Sequence, residues 1–122
     1  MKVMIVDDER DVEFLFKQRF RKELREGSLE FFFAFSGEDA LQYLRGSESL
    51  DIVLILSDIN MPGMTGLELL RMVRQEYPHL KIYMITAYSD DVNYKTAMDY
   101  GAHDYFTKPI DFEKLRREIL AI

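Results

Sequence analysis

Five short apolar runs punctuate the chain: Val3–Val6, Leu29–Phe35, Ile52–Leu56, Lys81–Ile85 and Asp104–Phe106. Longer stretches between them repeat their apolar residues at helical spacing. Strand and helix alternating throughout imply a parallel sheet with helices on both faces. The run Ile52-Val53-Leu54-Ile55-Leu56 shows no polar alternation, as expected of a central strand buried on both sides. With right-handed crossovers, this is an α/β, doubly wound fold of five strands and five helices.

The helix boundaries follow from capping chemistry. In the first helix Asp11 is the expected cap, and Val12, Leu15, Phe16, Phe20 and Leu24 form the inward stripe. Ser36 caps the second, which turns Ala40, Leu41 and Leu44 inward. Thr65 and Glu68 form a capping box for the third, with Leu69, Leu70 and Val73 inward. That helix stops at Tyr77, because a residue before proline avoids helical angles. Ser89 caps the fourth, whose apolar stripe of Val92, Ala97 and Tyr100 is thin, and Gly101 ends it. Asp111 caps the fifth, with Phe112, Leu115 and Ile119 facing the sheet. The run Phe31-Phe32-Phe33-Ala34-Phe35 reads as a strand packed under the first helix, with a sticky edge for association as the sharper alternative.

Composition narrows the class. The 122 residues suit one domain, and 48% hydrophobic with 31% charged residues is a globular balance. Sixteen Lys and Arg against 22 Asp and Glu leave a net charge of -6, and the basic pairs Arg21-Lys22 and Arg116-Arg117 are isolated. Direct nucleic-acid binding is therefore not expected. The absence of cysteine excludes disulfides, thiolate zinc sites and thiol nucleophiles, and fits a cytoplasmic protein. The longest aliphatic run, Ile52 to Leu56, is far short of the ~20 residues that span a bilayer. His79 and His103 fall in loops and read as solvent-facing without partners, and the Met residues read as core or loop fillers.

Ligands of open parallel sheets bind beyond the carboxyl ends of the strands. Those ends carry Asp7 and Asp8 after the first strand, Asp58 after the third, Thr86 after the fourth and Lys108 after the fifth. Two carboxylates ~5 Å apart repel by ~3 kcal/mol at an effective dielectric of about 20, and a cation relieves this. Oxygen ligands without His or Cys select a hard divalent ion, and a site awaiting a phosphate suits Mg²⁺. Lys108 adds an ammonium able to pair with Asp58 and with a phosphoryl oxygen. The set suits phosphoryl transfer to a carboxylate nucleophile.

These pieces resemble the receiver domain of response regulators, the CheY-like, flavodoxin-like fold. The resemblance rests on Val6-Asp7-Asp8-Glu9, the segment Ser57-Asp58-Ile59-Asn60-Met61-Pro62-Gly63-Met64-Thr65-Gly66, Ile85-Thr86-Ala87 and Lys108-Pro109, in order along the chain. It implies strand order 2-1-3-4-5 and a single receiver domain over residues 1–122 with no output domain. It implies Asp58 as phosphoacceptor and Mg²⁺ held by Asp8 directly, by Asp7 mainly through water, by Asp58, and by the Asn60 carbonyl. Thr86 and Lys108 would bind phosphoryl oxygens, Lys108-Pro109 would be cis, and Tyr105 would be the switch aromatic.

The resemblance further implies a sensor histidine kinase or phosphotransfer protein as donor. The output is an unknown output domain or target protein, or a homodimer, acting through the face of the fourth helix, fifth strand and fifth helix. Beyond self-catalysed phosphoryl acceptance and slow self-dephosphorylation the protein is not expected to be an enzyme. Asn60 and Tyr88, two positions after Asp58 and Thr86, stand where the family tunes phosphoryl lifetime. A dehalogenase-type hydrolase needs an acid where Asn60 stands, and a flavodoxin-type carrier needs a phosphate loop where Asp7-Asp8-Glu9 stands. The remaining alternative is a degenerate receiver acting as a phosphorylation-independent interaction module.

Overall fold

The computed structural model describes residues 1–46, 51–87 and 91–122, so Tyr88 and Ser89 lie outside the described residues. The apolar runs form β1 (Lys2–Val6), β2 (Glu30–Ala34), β3 (Ile52–Asp58), β4 (Lys81–Thr86) and β5 (Asp104–Thr107). They pair in parallel in the order β2-β1-β3-β4-β5, as expected. The helices among the described residues are α1 (Asp11–Arg19), α2 (Arg21–Glu26), α3 (Gly37–Leu44), α4 (Gly66–Glu76), α5 (Asp91–Asp99) and α6 (Phe112–Leu120). None is long and apolar enough to cross a membrane.

Side chains alternate across a strand, so each strand feeds two cores. Met4, Val6, Ile55, Ile82 and Met84 meet Leu41, Leu69, Leu70, Val73 and Ala97 of α3, α4 and α5. Val3, Ile5, Leu54, Leu56 and Ile85 meet Phe16, Phe20, Phe112, Leu115 and Ile119 of the other layer. One expectation fails in β3. Lys2 pairs with Ile52 but Val3 with Leu54, and the skipped Val53 is 37% exposed. This irregularity sends Ile52 and Leu54 to opposite cores despite their even spacing.

Among the described residues six helices replace the expected five because the first is broken. At Phe20 the backbone leaves helical angles (φ -108°, ψ 24°). Phe16, Phe20 and Leu24 are spaced by four, and such a series runs ahead of the 3.6-residue turn, so a straight helix would rotate it off the core. The kink keeps the fully buried Phe20 ring 5.4 Å from Phe31 and 6.2 Å from Phe112. The aromatic strand β2 does lie under α1, with Phe31 also edge-on to Phe16 at 5.9 Å.

Three side-chain caps stand as expected. Asp39 N–H donates to Ser36 Oγ, Lys114 N–H donates to Asp111 Oδ1, and Thr65 with Glu68 closes a full capping box. Asp11 does not cap. The N-cap position is Arg10, already at helical angles, and the Glu9 and Arg10 carbonyls accept from Val12 and Glu13 in a turn that runs into the helix. The inward stripe assigned to the helix after β4 is also corrected. Ala97 is buried, but Val92 is 74% and Tyr100 38% exposed. The five-residue step from Val92 to Ala97 turns about 140° around a helix, so the two do not share a face. Gly101 terminates α5 with φ 97°, a left-handed angle that a side chain would resist. His103 is not without a partner. Its Nδ1 accepts from Ile82 N–H at 3.2 Å while its backbone N–H donates to the Ile82 carbonyl, which extends the β4–β5 pairing.

Gly66 opens α4 directly beneath the end of β3. Its N–H donates to the Ile59 carbonyl at 2.8 Å, and a Cβ there would sit 1.9 Å from the Asp58 carbonyl oxygen. Gly66→Ala is therefore expected to lose about 3 kcal/mol or more by forcing α4 away from β3. A urea midpoint equal to wild type would show that the contact relaxes freely.

Candidate functional site

All five strands point the same way, so their carboxyl ends share one rim. Asp7 and Asp8 follow β1, Asp58 ends β3, Thr86 ends β4, and Lys108 follows β5. Asp7, Asp8 and Asp58 each bring a carboxylate oxygen within 4.8 Å of the others. Lys108 Nζ stands 3.4 Å from Asp7 Oδ2 and 3.8 Å from Asp58 Oδ1. Asp7, Asp58 and Thr86 are buried, whereas Asp8 and Asn60 are exposed.

The backbone fixes these positions by carrying strand pairing one residue too far. Ile59 N–H donates to the Ile85 carbonyl at 3.0 Å and Lys108 N–H to the Thr86 carbonyl at 2.8 Å. Asp7 N–H donates to the Ala34 carbonyl at 3.1 Å, and Glu9 N–H donates to Asp7 Oδ1 at 2.9 Å. The Lys108–Pro109 peptide bond is cis. Tyr105 lies on the strand beside Thr86, half-buried against the α3–α4–α5 core. Its ring meets Tyr94 of α5 edge-on, 5.2 Å between centroids at 84°.

Electrostatics follow from this crowding. Burial, and then the Asp7 charge, push the Asp58 carboxyl up to about 6, with Lys108 opposing and Asp8 adding to the rise. Burial also raises Asp7, against the Glu9 N–H bond and Lys108. Burial works against the Lys108 ammonium, but Asp7 and Asp58 outweigh it and hold its pKa above the ordinary lysine value. The donors are all oxygen, and their repulsion is relieved by positive charge, so the set fits a hard divalent cation such as Mg²⁺. Beside it a cavity of about 510 Å³ runs between α1 and α6, reaching Asp58 and Lys108 at one end and lined by Val12, Leu15, Ile110 and Phe112.

Glu9 and Gly66 were expected only as members of the matching segments, without roles of their own. The Glu9 amide on Asp7 carries no side-chain signal. Gly66 needed the close approach of α4, although glycine immediately after a capping threonine was a hint. Tyr94 was expected on the face of the fourth helix, fifth strand and fifth helix, and the structure adds its contact with the Tyr105 ring.

A doubly wound α/β domain with an acidic, lysine-flanked pocket at its carboxyl rim is the class that fold and site define. The chain belongs to the response regulator receiver domain family, which matches residues 3–120. It is similar to the response regulator protein FleR of Pseudomonas aeruginosa, 38% identical over 114 residues. That match covers 93% of this chain but only 23% of the relative's length. Among solved structures, a CheY-like receiver domain protein from Methanospirillum hungatei is 28% identical with a TM-score of 0.85, covering 98% of this chain and 90% of that one. Chemotaxis protein CheY4 of Vibrio cholerae is 27% identical with a TM-score of 0.82, covering 99% and 97%.

A raised carboxyl pKa has a definite sign. Asp58 costs the fold nothing while protonated, below its ordinary 3.8, and its penalty develops as pH rises through about 6. Metal-free protein is expected to lose stability across this window, on the order of 2 kcal/mol, and Asp58→Asn to remove that loss. Urea titrations in chelator at pH 4.5 and 7.5 test this. An Asn variant no more stable than wild type at the higher pH would contradict the burial penalty.

Proposed function

We propose that this receiver domain is a phosphoacceptor switch in which Asp58 takes a phosphoryl group from a sensor histidine kinase or phosphotransfer protein. The observation that carries this reading is the convergence of Asp7, Asp8 and Asp58 within 4.8 Å with Lys108 beside Asp58. Near neutral pH, above about 6, Asp58 is mostly ionised and nucleophilic. One Asp58 oxygen forms a bond to phosphorus as the bond from phosphorus to the donor's imidazole nitrogen breaks. Lys108 and the Thr86 hydroxyl receive phosphoryl oxygens. Asp8, Asp58 and the Asn60 carbonyl would hold Mg²⁺, with Asp7 acting through water. When bound, Mg²⁺ supplies the charge compensation that lets an anionic phosphoryl group approach three carboxylates. The groove between α1 and α6 leaves a partner room to reach Asp58.

The added charge would draw the Thr86 hydroxyl towards the phosphoryl group and let Tyr105 fill the space beneath the loop after β4. The signal would then appear on the face of α5, β5 and α6, where Tyr94, Lys95, Met98 and Lys114 sit. These are the fourth and fifth helices of the sequence reading. That face would meet a target protein, an output domain or a second copy in the active state. The ligand biases two pre-existing states and shifts them only by its differential affinity.

Acetyl phosphate with Mg²⁺ is expected to add one phosphoryl group by intact mass, and none to Asp58→Asn. Unmodified wild type would leave the phosphorylation-independent interaction module as the reading. Thr86→Ala is expected to accept phosphate yet lose most of the chemical-shift response at β5 and α5 to beryllofluoride, in which BeF₃⁻ stands in for the phosphoryl group. A full response in that variant would remove Thr86 from the route.

A further inference from the structure

α5 is held differently from its neighbours. α4 buries Leu69, Leu70 and Val73, and α6 buries Phe112, Leu115 and Ile119. Among the described side chains of α5, Ala97 alone is buried, and a methyl group is a slight anchor. Val92 and Met98 are 74% and 39% exposed. Against this weak background one contact stands out. Tyr94 lies three residues before Ala97 and four before Met98, so it sits one turn away on the seam between the buried and the exposed lines of the helix. Its ring and that of Tyr105 stand edge-to-face, a favoured arrangement, with centroids 5.2 Å apart at 84°, while 51% of Tyr94 remains exposed. The same side chain touches both the half-buried ring on β5 and the solvent.

We propose that Tyr94 is the positioning residue that carries the setting of Tyr105 to the outer surface of α5. The inference rests on the switch reading of Tyr105 given above and names the residue through which that switch reaches a partner. With the Tyr105 ring turned inward, Tyr94 rests on it and α5 stays close to β5. With the Tyr105 ring turned outward, it occupies the space the Tyr94 ring now fills. Tyr94 must then swing away, and α5, whose one buried residue among those described is Ala97, moves with it. The partner surface thus differs between the two states by the orientation of one aromatic ring and the helix bearing it.

Wild type, Tyr94→Ala, Tyr94→Leu and Tyr94→Phe are compared by amide hydrogen exchange with and without beryllofluoride and Mg²⁺. Phosphoryl acceptance from acetyl phosphate is measured on each. Wild type is expected to change exchange in both β5 and α5. Tyr94→Ala is expected to keep the β5 change and lose most of the α5 change, with phosphoryl acceptance retained. Tyr94→Leu, which keeps apolar bulk without an aromatic edge, should behave the same way and covers the case of an Ala variant that folds poorly. Tyr94→Phe, which keeps the ring, should restore the α5 change. An α5 response equal to wild type in the Ala and Leu variants overturns the proposal, as does a Phe variant as silent as Ala. Wild type silent in both β5 and α5 instead sinks the switch reading itself and this inference with it.

Discussion

The structure turns on one electrostatic constraint: a carboxylate, Asp58, buried at the end of an apolar strand beside a second buried carboxylate, Asp7. A carboxylate prefers water, and a like charge nearby makes burial worse. The fold keeps both acids there because strand polarity leaves them no alternative. Residues that end parallel strands must meet at one rim. Lys108 is the protein's own partial answer, and the remaining deficit of positive charge makes the pocket receptive to a cation. The pairing that continues past Asp58 and Thr86, through Ile59 and Lys108, then acts as a frame that stops the acids from drifting apart.

The two layers that support this rim are not equivalent. Under α1, α2 and α6 the core carries an aromatic cluster in which Phe16 and Phe20 touch each other and both Phe31 and Phe112. Interlocked rings of this kind resist sliding. The fully buried part of the opposite layer is aliphatic under α3 and α4, with the stacked Phe32 and Tyr43 rings at its margin, and it thins out under α5. The half of the molecule lining the groove towards Asp58 is thereby the more tightly interlocked. The more lightly packed part lies beyond Thr86 and Tyr105, where the proposed change of state would become visible.

Much of this was legible in the residues. Strand positions followed from uninterrupted apolar runs, and Ser36, Thr65 and Asp111 announced helix starts because their side-chain chemistry is the cap itself. The convergence of Asp7, Asp8, Asp58, Thr86 and Lys108 needed only the strand ends. What escaped depended on three-dimensional fit. Phe20 carries the right residue type for a continuous helix, and only its packing between Phe31 and Phe112 requires a kink. Val53 looks like its neighbours, yet the pairing skips it. Asp11 has a capping side chain, but the turn at Glu9 and Arg10 had already started the helix. Asp7 and Asp8 are chemically identical, and which one is buried is decided by the Ala34 and Glu9 backbone.

The light seating of α5 also limits how strongly the domain can act on anything else. A joint transmits no more load than it can bear, and past that point it slips. If a partner demanded more work from this helix than Ala97 and the Tyr94–Tyr105 contact can withstand, α5 would fray locally and leave β5 undisturbed. Such a coupling behaves as a slip clutch. On the proposed switch reading it would pass a modest torque and disengage under a large one, which would spare the acidic pocket from being pried open from outside.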